Sequence, residues 1–241
     1  MAFDAHVGVL LRDPELEHTP VFLEHHEELL ARVNEELARR GMPLHREPRA
    51  VAEIQPPLSS PARAVDLGQR LGFYGDDKYE RLGLLAQHVA VLGVVPPVER
   101  LQDQVGLSER YDAIPDRALA FDHLLAMLRL YTVLLPRRLP GVIAVEHRPG
   151  EPEVHALASA PRLREEAVLL ANVLRYFGEK SRDYNWMLGV PGGDPAWGGL
   201  GARVEDDEGV IQAWASEADL CWRLMRVAAD AMRIGGVAVT C

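Results

Sequence analysis

The chain has 241 residues, 48% of them hydrophobic and 26% charged, with a formal net charge of −10. That length fits one large domain or two small ones, and the apolar content suffices for a real core, which excludes a disordered, collagen-like or repeat-built chain. The acidic excess argues against general nucleic-acid binding, which needs a basic footprint, whereas it favours solubility and could steer a basic partner.

The first element in chain order is a short strand over Ala5–Leu11, ended by Asp13-Pro14. Thr19-Pro20 opens the best-marked helix, with a cap residue followed by proline at its first position. Phe22, His26, Leu29, Val33 and Leu37 share one face of it, and Gly41 stops it. A second strand is expected near Ala50–Ile54, and Ser60-Pro61 starts a helix predicted to reach about Leu71. Asp77 and Glu80 form a capping pattern for a helix carrying Leu82, Leu85, Val89 and Leu92. Residues 93–115 are the best candidate boundary if the chain divides, although the whole chain, 1–241, reads as one domain.

Pro115-Asp116 opens the most apolar stretch, predicted as a buried helix to about Leu135. A β-hairpin follows over about 142–158, turning near Pro149-Gly150. Ser159 caps a helix that keeps Leu163, Ala167, Leu170, Leu174 and Phe177 in register until Gly178. Val210–Trp214 reads as a strand, Ser216 with Asp219 caps the last helix, and Val237–Thr240 reads as an edge strand. The irregular alternation predicts an α+β fold, predominantly helical, with a small mixed or antiparallel sheet.

Between the last two helices lies Ser181–Gly201, with six glycines, two prolines and two tryptophans, followed by the acidic run Glu205–Glu208. Such a composition disfavours helix interiors and central strands. Either it folds back as a loop plugged by its own side chains, or it presents an anchor. As an anchor, Tyr184, Trp186 and Trp197 beside Asp194 make an aromatic, acid-rimmed surface for a protein partner. Gly199-Leu200-Gly201 lacks the third glycine of a dinucleotide loop, because Val204 stands there.

Catalytic motifs are thin. His26-Glu27-Glu28-Leu29-Leu30 has leucine where a zinc protease needs its second histidine. If the hairpin loop is Pro149–Glu153, His147 faces His155 across the strands, close enough to share a metal. Asp122-His123 lies in the central apolar stretch and must find partners there. Cys221 and Cys241 make no disulfide framework, and Cys221 reads as a small core hydrophobe. Arginine outnumbers lysine 24 to two, which points to a GC-rich bacterial genome. The residues at the N-terminus lack a positive n-region, and no long apolar window is free of charge, so neither a secretion signal nor a membrane span is expected.

The residues therefore favour a non-enzymatic cytoplasmic bacterial protein that captures another protein, basic if charge steers the encounter, for example a toxin-neutralising immunity protein. No cofactor is expected. The alternative is a small-molecule or metal-assisted hydrolase built on His147 and His155.

Overall fold

In the computed structural model, residues 2–11, 19–54, 64–69, 78–103, 106–115, 120–129, 131–174, 203–204 and 213–240 are described. The elements are β1 (Ala2–Val7), α1 (Pro20–Arg39), β2 (Ala64–Gln69), α2 (Lys78–Leu92), β3 (Val94–Val95), α3 (Leu107–Asp112) and α4 (Asp122–Met127). They continue with β4 (Thr132–Leu135), β5 (Ile143–Ala144), β6 (Ala156–Ser159), α5 (Ala160–Val173), β7 (Arg203–Val204), α6 (Ala215–Ile234) and β8 (Ala238–Thr240). The fold is α+β.

Six strands form one mixed sheet in the order β2-β1-β8-β4-β6-β5, and β3 and β7 form a two-stranded parallel pair. Among the described residues, only β4 and β6 run parallel in the main sheet. Alternation along each strand divides its side chains between the two faces. Leu134, Ala158 and Ala238 join the larger core, where α2, α4, α5 and α6 pack. Val133, Leu135, Leu157, Val237 and Val239 point the other way, onto Leu29, Leu30, Val33 and Leu37 of α1. One long amphipathic helix thus covers one face of the sheet while a helical layer covers the other.

Local signals explain several elements. Thr19 Oγ1 accepts from Phe22 N at 3.2 Å to cap α1, and Ser159 Oγ accepts from Arg162 N at 3.3 Å to cap α5. Gly235, at φ 72°, closes α6 in the left-handed conformation that glycine reaches without strain.

Five expectations need correction. Residues 51–53 form a single 3₁₀ turn in place of a strand. Within the helix expected from Ser60, residues 64–69 form strand β2, whose Val65 and Leu67 are buried at period two; the rest of that stretch lies outside the described residues. The apolar stretch ending at Leu135 divides into α4 and β4. Tyr131, at φ 59°, precedes β4 in a conformation that cannot continue a right-handed helix. Residues 238–240 lie in the middle of the sheet, between β1 and β4, with backbone groups paired on both sides. They offer no free edge to a second subunit. Of the strand expected at 210–214, residues 213–214 lead into α6, and Trp214 is buried with its Nε1 donating to Pro96 O at 3.0 Å; residues 210–212 are outside the described residues.

Candidate interaction face

α1 owes its position to its inner stripe, and its outer stripe is a different surface. Glu24, Glu27, Glu28, Ala31 and Glu35 are all exposed, at the three- and four-residue spacing that puts them along one side of a helix. Glu24 and Glu28 have no hydrogen-bond or ion-pair partner among the described residues. Glu27 pairs with Arg49 at 2.6 Å and Glu35 with Arg148 at 3.0 Å. From Glu24 to Glu35 the helix axis rises about 16 Å. Four carboxylates in that span compare with roughly five phosphates along one strand of B-DNA, at about 3.4 Å each.

The helix that carries the outer stripe is anchored to its surroundings. Arg32, itself buried, reaches Glu151 and the carbonyl of Glu146, tying α1 to the hairpin loop. Glu36 lies against the guanidinium groups of Arg39 and Arg40 (2.8 and 2.6 Å). The Arg39 hydrogen bond, with help from Arg40, holds its carboxyl below the ordinary carboxylate range despite burial.

Residues 42–54 run back along α1. Asn34 secures them by donating to His45 O (3.0 Å) and accepting from His45 N (2.7 Å). Below, Glu47 Oε2 accepts from Val237 N at 2.8 Å and lies 2.7 Å from His45 Nε2. Its Oε1 is buried without a hydrogen bond. Between α1 and this segment lies an open groove of about 550 Å³.

The residues singled out from sequence fall elsewhere. Tyr184, Trp186, Asp194 and Trp197 are outside the described residues. The hairpin is present, but its register pairs Ile143 with Leu157 and Ala144 with Ala156. His155 therefore meets Val145, whose N–H donates to its carbonyl at 3.0 Å, and not His147. The His155 ring contacts Glu153 at 2.9 Å and Tyr131 edge-on at 5.4 Å, while His147 is exposed. Among the described residues no group of three or more His, Cys, Asp or Glu could hold a metal ion, so the hydrolase reading gains no support. His26 spends Nδ1 on Phe22 O (2.8 Å) and packs on the Phe22 ring.

Asp122 and His123 do find partners, in a buried knot. Tyr111 donates to Asp122 Oδ1 at 3.0 Å, and His123 Nδ1 accepts from Ser159 N at 3.0 Å. Glu166 accepts from Leu124 N at 2.8 Å, so a carboxyl from α5 caps the start of α4. Burial drives the His123 pKa down to about 4, helped by Arg162 and opposed by Asp122. Burial likewise drives Glu166 up to about 8, against its backbone hydrogen bonds and Arg162. Ser159 Oγ donates to Arg137 O and not to the histidine, so no nucleophile is activated here. Cys221 is buried, and burial pushes its thiol up, away from the reactive thiolate.

The match to known families bears on the outer stripe. Residues 1–186 match the family model described as "Putative DNA-mimic protein". The chain belongs to this DNA-mimic family. No curated protein and no solved structure matches it. Membership fits a protein-binding, nucleic-acid-imitating role and corrects the expected partner. The sequence suggests a protein partner, basic if charge steers it and met by an aromatic loop; imitation of DNA selects instead for the surface with which a partner reads DNA. The matched region holds α1, its groove and the hairpin, but stops before Asp194 and Trp197. In the sequence the apolar face of α1 is the stronger pattern and masks the acidic stripe on the same helix. Its signal was present as Glu24, Glu28 and Glu35, spaced by four and then seven residues.

Proposed function

We propose that the protein imitates a run of DNA phosphates with the outer face of α1 and thereby occupies the DNA-binding surface of a protein partner. The observation that carries this reading is the exposed line of carboxylates from Glu24 to Glu35, two of them with no partner among the described residues. A backbone already fixed as a helix lowers the ordering cost of binding to that of the side chains, and the field of the row speeds encounter with a phosphate-reading surface. Tyr184, Trp186, Asp194 and Trp197 are candidates for additional contacts.

The site of action in this reading is the bacterial cytoplasm, where DNA and its binding proteins meet. Among the described residues no helix is long and apolar enough to cross a membrane. An immunity role is a special case: the neutralised partner would be a toxin nuclease, and the readout would be blocked DNA cleavage.

The test is capture from a bacterial extract by the immobilised full chain, followed by challenge with duplex DNA. The expected outcome is a DNA-binding protein released by duplex DNA, with several-fold weaker capture by the folded double variant Glu24→Gln/Glu28→Gln. Capture indifferent both to duplex DNA and to the double substitution would overturn the proposal.

A further inference from the structure

Beside the acidic stripe, the groove between α1 and residues 42–54 has a chemistry of its own. Glu27 on α1 and Glu53 on the facing segment are the carboxylates of its two walls. Leu30 and the buried Glu47 contribute to its lining; Glu47 Oε2 is spent on Val237 N and His45, and its Oε1 is sealed against Gly236. Three carboxylates thus meet two arginines and His45, whose ring is taken up by Glu47 at 2.7 Å. One of these arginines, Arg46, pairs with Glu53 at 3.4 Å, but at 90% exposure this long contact is screened by water.

The other arginine shows what the groove accepts. Arg49 NH1 donates to Glu27 Oε1 at 2.6 Å, while its backbone N–H donates to Glu53 Oε1 at 3.2 Å. The guanidinium and the carboxylate are 54% and 48% exposed, and pairs that open to water contribute little to stability. Such a pair is readily exchanged for another guanidinium.

We propose that this groove receives an arginine side chain of the partner, as a narrow DNA minor groove does, with Arg49 as the internal occupant it displaces. Negative walls around a slot are what attract arginine into a narrow minor groove. The planar guanidinium suits two carboxylates better than the point charge of lysine. The proposal rests on the DNA-mimic reading and adds a groove to its row of phosphates.

Fluorescence anisotropy with two labelled peptides, Gly-Arg-Gly-Arg-Gly and Gly-Lys-Gly-Lys-Gly, tests it on the full chain. The arginine peptide is expected to bind several-fold tighter than the lysine peptide. Arg49→Gln should strengthen its binding several-fold by vacating Glu27. Ala31→Trp, at an exposed position on the groove's edge, should weaken it at least tenfold with an unchanged melting curve. No binding, equal binding of the two peptides, or indifference to Ala31→Trp overturns the groove. If Glu24→Gln/Glu28→Gln still weakens partner capture, the groove fails alone and the phosphate row stands. If capture is also indifferent to that double substitution and to duplex DNA, both fail.

Discussion

Asn34 holds His45 by its backbone, donating to the carbonyl at 3.0 Å and accepting from the N–H at 2.7 Å. A side chain on a helix thereby substitutes for a strand partner, and the segment it holds forms the far wall of the groove. Asn34→Ala leaves both backbone groups of His45 to find water. The expected cost is about 1–2 kcal/mol of stability, seen as a lower urea midpoint with an unchanged slope. Arginine-peptide binding should weaken in step, because the wall is no longer fixed. Stability unchanged within error would show that water replaces the clamp at no cost.

The knot around α4 predicts an unusual pH profile. Glu166 titrates near 8 in the folded chain against an ordinary 4.5, so between those values the folded state holds a proton that the unfolded state has lost. Stability from this group therefore falls as pH rises through that window. His123 titrates near 4 against an ordinary 6.5, so between those values the unfolded state holds the extra proton, and stability rises with pH. The two slopes oppose each other between about 4.5 and 6.5, leaving a plateau, and Glu166 alone acts from about 6.5 to 8. Chemical denaturation across pH 4–9 should show loss on both sides of that plateau. Glu166→Gln should abolish the alkaline fall while leaving the acid-side rise, because glutamine can still accept from Leu124 N. An alkaline fall that survives this substitution would assign it to another group.

Arg81 binds Glu217 through two guanidinium nitrogens, at 2.7 and 2.5 Å, and joins α2 to the first turn of α6. The carboxylate is fully buried, and Ser216 Oγ donates to its second oxygen at 2.9 Å. Arg81→Met leaves that charge uncompensated and should cost about 3–5 kcal/mol. Arg81→Met/Glu217→Leu removes the stranded charge as well and should recover most of the loss. A double variant no more stable than the single one would refute this account of the pair.

Several of these elements announce themselves in the sequence and others do not, for a physical reason. α1 and α5 carry their start signals locally, in Thr19-Pro20 and in Ser159 ahead of Pro161, so both starts were readable. β2 was obscured by Ser60-Pro61, a helix-start pattern, although Val65 and Leu67 alternate. β4 was lost inside an apolar run because a strand buried on both faces and a buried helix show the same hydrophobicity. The break at Tyr131 carries no glycine to mark it. The hairpin was legible, but its register was not, since shifting the loop moves every cross-strand neighbour and with them the pairing of His147 and His155. The acidic row is written in the spacing of α1, whereas the groove depends on Asn34 meeting a backbone eleven residues away, and no local pattern announces that.

The place of β8 has a consequence for how the molecule is made. β1 and β4 do not touch as neighbours in the sheet; each pairs with residues 238–240 between them. During synthesis, a ribosome must deliver those residues before the two halves of the sheet can meet. Until then the surfaces destined for α1 and for the helical layer belong to separate fragments. Cooperative closure waits for a contact spanning almost the whole length of the chain, which is the kind of topology that folds slowly.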